Sequence, residues 1–168
     1  MFVLQKPQVV KAFSKVGDAA IIAAFNLADA DRVSGFIRAG DAPGVTAAVA
    51  YEHISGRLAR LSAAQPIPVT LGRFEAQFWT LHKPRNGFAA LGRRDKLNGV
   101  AAVKKAEATL DAAHVVLHEG GPFAAYASRR PVRVEVDGKA QPFTFVDKLL
   151  LVDAPVTTIS STIRIDFS

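Results

Sequence analysis

The chain has 168 residues, 49% of them hydrophobic, with 11 Phe, two Tyr and a single Trp. That is globular usage, at a length that fits one domain and can bury a core without staples. It contains no cysteine, which excludes a disulfide framework, a thiolate metal site and a cysteine nucleophile while suiting cytosol and periplasm alike. The formal charge is +6, from 21 basic and 15 acidic residues, an excess that favours an anionic partner. Its clusters, Arg93-Arg94-Asp95-Lys96, Lys104-Lys105 and Arg129-Arg130, are short and not interleaved with aromatics, so no nucleic-acid partner is expected. No apolar run approaches the roughly 18 to 20 residues of a membrane span. The opening Met1-Phe2-Val3-Leu4-Gln5-Lys6-Pro7 has neither a basic n-region nor a long h-region, so no signal peptide is expected and the cytoplasm is slightly favoured.

Short apolar runs separated by Gly, Asp, Asn and Pro give the chain the punctuation of an all-β protein. Residues 9–13 are followed by Gly17-Asp18 and then by 19–27, a continuous apolar run suited to a central strand covered on both faces. Residues 33–38, a turn at Asp41-Ala42-Pro43-Gly44, residues 47–52, a break at Ser55-Gly56 and residues 58–61 come next. Pro66 and Pro68 bracket the entry to 67–71, which should begin at a sheet edge because proline lacks the ladder donor. Over 74–81 the alternation sets Phe74, Ala76 and Phe78 on one face and Glu75, Gln77 and Trp79 on the other, a half-buried strand. Further strands are expected at 87–91, 114–118, 123–127, 132–136, 142–146, 149–152 and 162–167. Asp137-Gly138 is the clearest hairpin signal, flanked by two alternating runs. Residues 100–113 are rich in helix formers, yet the surrounding pattern favours an extended reading for at least their first half. The expectation is one two-sheet antiparallel β-sandwich, Greek-key-like, spanning 1–168, with about 10–13 short strands and at most one short helix.

The carboxylates offer little for acid–base chemistry. Asp18, Asp41, Asp137 and Asp147 fall at expected turns, where Asp bonds nearby backbone. Asp29 and Asp31 are the one tight acidic pair, too few ligands for calcium. The histidines, His53, His82, His114 and His118, show no zinc-binding spacing with a third ligand. There is no GxSxG elbow and no glycine-rich phosphate cradle, Gly120-Gly121 being a turn. No catalytic residue, metal or cofactor is therefore expected. Sugar binding needs an exposed aromatic with polar neighbours. The candidates are Tyr51 and His53, in Tyr51-Glu52-His53 at a strand end, and Trp79; Tyr126 is expected to pack.

Three stretches resemble the C-terminal β-sandwich of the raffinose synthase and seed-imbibition-protein group, glycoside hydrolases of the family 36 α-galactosidase type. Ile21-Ile22-Ala23-Ala24-Phe25-Asn26-Leu27 is similar to the family's GVFN strand, with Val33-Ser34-Gly35 following in place. Ile67-Pro68-Val69-Thr70-Leu71 with Phe74-Glu75 and Phe78-Trp79-Thr80 resembles LPVTL…E…LFT, and Gly87-Phe88-Ala89-Ala90-Leu91-Gly92 resembles FAPIG. Gly121-Pro122-Phe123-Ala124-Ala125-Tyr126-Ala127-Ser128-Arg129-Arg130-Pro131, with Val136-Asp137-Gly138, is similar to GxFGAYSSxRP…VDG. The likeness runs in order from about Val9 to Asp166. The family's nucleophile and acid/base are aspartates on a (β/α)₈ barrel preceding the sandwich, and nothing here matches those motifs. The plant FNCQG is replaced by Phe25-Asn26-Leu27-Ala28, which implies a bacterial-type relative.

The resemblance implies a non-catalytic accessory domain that packs against and stabilises a catalytic barrel. Such a domain should expose an apolar patch, which could also serve self-association. The alternative is a free-standing module that binds galactoside oligosaccharides through Tyr51, His53 or Trp79.

Overall fold

The computed structural model describes residues 8–168, so residues 1–7, on which the signal-peptide expectation rests, lie outside the described residues. Contacts divide the chain into two units: 8–15 with 20–81, and 16–19 with 82–168. Each has its own hydrophobic core. The described residues hold sixteen strands and two 3₁₀ turns, Ala39–Asp41 and Gly99–Ala102, with no α-helix. The strand count exceeds the 10–13 expected, but the all-β sandwich class holds.

Unit 1 is built from β1 (Val10–Val16), β2 (Ala19–Phe25), β3 (Arg32–Ile37), β4 (Ala47–Glu52), β5 (Arg57–Ser62), β6 (Ile67–Gly72) and β7 (Ala76–His82). Five strands form one sheet in the order β1-β2-β7-β4-β5, and β3 pairs with β6 in a second. The core draws on both sheets: Ile22 and Trp79 on one side, Ile37, Ile67, Val69 and Leu71 on the other. Pro68 is tolerated because β6 has only β3 beside it, as expected for a strand with a missing donor. The run at 19–27 ends as a strand at Phe25, because Asn26 turns the chain.

Unit 2 contains β8 (Phe88–Arg93), β9 (Val103–Ala108), β10 (Ala112–Leu117), β11 (Phe123–Ala127), β12 (Pro131–Val136), β13 (Lys139–Ala140), β14 (Phe143–Val146), β15 (Leu149–Val152) and β16 (Ser161–Phe167). One sheet runs β13-β12-β16-β10-β9, the other β14-β15-β11-β8. Phe88, Phe123, Leu150 and Val152 of the second sheet meet Val115, Leu117, Val134, Ile163 and Ile165 of the first in one core.

The ambiguous segment at 100–113 resolves into part of a 3₁₀ turn, β9, a turn and the start of β10. Its helix formers lose because β9 gains a full antiparallel ladder with β10, a tertiary override of weak propensity. Asp137 and Gly138 adopt φ of 51° and 76°, the left-handed pair of a tight hairpin turn. The hairpin it makes is only two residue pairs long, Glu135 with Ala140 and Val136 with Lys139. The chain then crosses to the other sheet, where Phe143–Val146 pairs with Leu149–Val152. Asp147 and Lys148, at φ 50° and 71°, make the tight turn there without glycine.

Candidate functional site

The three aromatic candidates are all buried. Tyr51 is 2% exposed, His53 7% and Trp79 0%. Tyr51 and His53 pack edge to face with centroids 4.8 Å apart, and a His53 ring nitrogen lies 3.1 Å from Thr80 Oγ1. Trp79 belongs to the unit 1 core; its Nε1 donates to Gln77 Oε1 at 2.9 Å, and the Arg57 guanidinium lies over its ring at 5.4 Å. None offers a ring face to solvent. The alternation over 74–81 puts Phe78 and Trp79 on opposite faces without saying which is the core: Trp79 lies in the core shared with the second sheet, and Phe78 is half-buried in edge-to-face contact with Phe25.

Phe74 itself is not part of the strand expected at 74–81. The strand starts at Ala76, and Phe74 sits in the turn before it, 77% exposed and at φ 60°. A bulky residue in left-handed backbone is an outlier and persists only where its surroundings over-determine it. Here Gly72 N–H donates to Glu75 Oε2 at 2.6 Å, and Glu75 N–H to the Gly72 carbonyl at 3.1 Å. Asn26 locks the turn to its neighbour: its Nδ2 donates to the Gly72 carbonyl at 2.9 Å and the Ala30 carbonyl at 3.1 Å, while Oδ1 accepts from Ala28 N–H at 3.1 Å. Arg73 pairs with Asp29 and stacks over Phe74 at 5.3 Å. Leu27, on the joined loop, is 67% exposed. Two hydrogen-bonded turns thus each carry an outward apolar side chain.

Carboxylates elsewhere serve the backbone. Glu52 Oε1 accepts from Phe78 N–H at 2.9 Å and Ile54 N–H at 3.2 Å, and Oε2 from Ser55 N–H at 2.6 Å. Burial pushes this carboxyl up, but the hydrogen bonds from Ser55, Phe78 and Ile54 overcome it and hold the group below its ordinary 4.5. Asp41 accepts from Arg38 N–H at 2.7 Å, and Asp137 from Thr162 N–H at 2.7 Å and the Ser161 hydroxyl at 3.0 Å. In unit 2, Arg93 is 3% exposed on its side chain; Nε donates to Asp95 Oδ1 at 2.9 Å, and Nη1 lies 3.4 Å from Glu119. The Arg93 hydrogen bond holds the Asp95 carboxyl below its ordinary 3.8. Gly121 makes room for this guanidinium, because a Cβ there would fall 2.6 Å from its central carbon.

No group of three or more His, Asp or Glu among the described residues could hold a metal. Asp29 is spent on Arg73, and His114 and His118 stand exposed on β10 and just beyond it. Tyr126 packs, at 7% exposed. No helix among the described residues is long and apolar enough to cross a membrane.

Unit 2 also carries an open cleft of about 820 Å³. Its apolar lining includes Val16, Ala101, Val103, Ala106 and Ala108, each half-buried or exposed. Its rim carries Lys83, Arg85, Lys104, Lys105, Asp18 and Glu107. Sequence reasoning found Lys104-Lys105 as a short basic cluster but had no signal for the concavity, which is formed by segments far apart in the chain.

No curated protein matches the chain. The family model described as "Raffinose synthase or seed imbibition protein Sip1" matches residues 11–154, which takes in the Asn26 loop, the Phe74 turn and both flanks of Arg93. The chain belongs to the raffinose synthase and seed imbibition protein family.

Proposed function

We propose that this chain is a non-catalytic accessory domain of a raffinose synthase or α-galactosidase-type glycoside hydrolase, and that it packs against and stabilises a (β/α)₈ catalytic barrel. The observation that carries the reading is the surface at the end of unit 1. Phe74 and Leu27 stand outward at 77% and 67% exposure, on turns that hydrogen bonds and an ion pair fix in place. Apolar side chains on hydrogen-bonded turns bury area on contact without first ordering the backbone beneath them, which favours docking to a structured partner. The roles of Glu52, Asp41, Asp95 and Asp137 in holding turns and guanidinium groups also support it, since carboxylates committed to backbone N–H groups are poorly placed to work on a glycosidic bond.

The test is co-expression with a barrel of the same family followed by size-exclusion chromatography and thermal unfolding. Co-elution and a higher barrel Tm are expected, and Phe74→Gly should weaken both while leaving the isolated chain folded. Separate elution, with the barrel Tm unchanged by the chain, would sink the proposal.

A further inference from the structure

We infer that the unit 2 cleft is a binding site for a small anionic molecule with an apolar body, one that carries a carboxylate, sulfonate or phosphate group. The inference is independent of the docking role proposed above.

Three observations carry it. The first is charge. The rim holds four cations, Lys83, Arg85, Lys104 and Lys105, against two anions, Asp18 and Glu107, so its formal balance is +2. Arg85 pairs with Asp18 at 2.6 Å and Lys105 with Glu107 at 2.9 Å. Both pairs are more than 60% exposed on each side chain, the class whose net worth is small. Lys83 and Lys104 are exposed and have no ion pair among the described residues. Two uncommitted ammonium groups therefore share one rim with two loosely held cations.

The second is the way Lys104 is placed. β9 is the edge strand of its sheet. Its ladder with β10 runs Val116 to Lys105 and then Leu117 to Val103, which leaves Lys104 as the extra residue of a bulge. A bulge re-aims a side chain and recurs beside functional sites. A lysine that only guarded a sheet edge would need no such displacement. The nearby rim is fixed as well: Asn86, at φ 49°, donates from Nδ2 to the Ala108 carbonyl at 2.7 Å.

The third is shape. The cleft's volume of about 820 Å³ lies within the roughly 300–1,000 Å³ of small-molecule sites. Its lining carries the apolar residues Val16, Ala101, Val103, Ala106 and Ala108, each half-buried or exposed, so a ligand with a purely hydrated body would leave that surface unused. An apolar body against these residues with an oxyanion at Lys83 and Lys104 satisfies both halves of the cleft.

The probes are 1-naphthoate, its neutral analogue 1-naphthamide, and inorganic phosphate, titrated into the ¹⁵N-labelled chain and followed by amide shifts. Naphthoate should move amides across 82–108 and bind about tenfold or more tighter than either the amide or phosphate alone. Lys83→Ala and Lys104→Ala should each weaken it several-fold while the dispersed spectrum is kept. Lys139→Ala, an equal loss of charge on the exposed strand β13, should leave the affinity unchanged. Three results would each overturn the site: naphthamide binding as tightly as naphthoate, Lys139→Ala weakening binding as much as Lys104→Ala, or shifts confined to residues outside 16–19 and 82–108.

Discussion

Unit 1 and unit 2 bring polar groups into the protein by opposite routes. In unit 1 two of the buried polar side chains are aimed at backbone: Asn26 ties two loops together, and Glu52 gathers N–H groups from a turn and from β7. In unit 2 the largest buried polar group is a whole guanidinium, Arg93, held between Asp95 and Glu119. Glycines allow the backbone to close around it. A Cβ on Gly92, at φ 106°, would collide with the Gly99 carbonyl, and one on Gly121 would meet Arg93 itself. The first route costs little steric room and secures loops; the second depends on close backbone approach. Unit 1 should therefore suffer most from a lost Asn26 or Glu52 hydrogen bond, and unit 2 from bulk added at Gly92 or Gly121.

The largest expected effect tests the second half of that contrast. Gly92→Ala forces backbone apart, so it should cost about 4 kcal/mol or more, the range kept for severe clashes and strain. Circular dichroism through a urea titration would measure it. Trp79, the only tryptophan, lies in unit 1, and its emission should remain that of a buried indole at urea concentrations where unit 2 has already opened. A red shift in step with the loss of ellipticity would break the idea that the two cores are separate.

Asn26→Ala comes next. It strips partners from the Gly72 and Ala30 carbonyls and from Ala28 N–H, and should cost about 2 kcal/mol. The loss should appear in Trp79 emission, because the loops it ties close unit 1.

Glu52→Gln should cost about 1.5 kcal/mol at pH 7, since an amide cannot accept at both ends. The folded-state pKa of Glu52 lies below the ordinary 4.5, so its carboxylate contributes stability that is present above 4.5 and lost as pH falls through the lower folded value. The gap between the parent and Glu52→Gln should accordingly narrow from pH 4.5 downward in a pH series of chemical denaturation. A gap that stays constant to pH 3 would mean that the acceptor role is not the source of the effect.

The smallest effect has the opposite sign. Phe74→Gly relieves a left-handed φ that costs a side chain about 1 kcal/mol, and the ring is already in solvent. The isolated chain should become slightly more stable by urea titration, even as docking to a barrel weakens. A residue whose removal stabilises its own domain is better explained by an outside contact than by packing.

Much of this was legible in the residues. The alternating and continuous apolar runs placed fourteen strands close to where they lie, because side-chain period and turn chemistry are local properties. The family motifs pointed to Asn26, to the turn before β7 and to the segments flanking Arg93. The face of β7 was not legible. Phe74, Ala76 and Phe78 alternate as a strand would, but the Glu75 carboxylate closes a turn on Gly72, so Phe74 leaves the strand and Trp79 takes the core. That choice depends on a hydrogen bond and a second sheet, neither of which periodicity can see.

Sequence by itself determined the all-β class, the lack of cysteine chemistry, the turns at Asp137-Gly138 and Asp147 and the family, all of which rest on residue identity or short-range pattern. Tertiary structure decided what depends on distant segments meeting. It divided the contacts into two units, turned 103–108 into an edge strand with a bulged lysine, buried Tyr51, His53 and Trp79, and gathered Lys83 and Lys104 on one rim. The physical reason is common to all four: burial and proximity are set by which sheet faces which, and that information is not local.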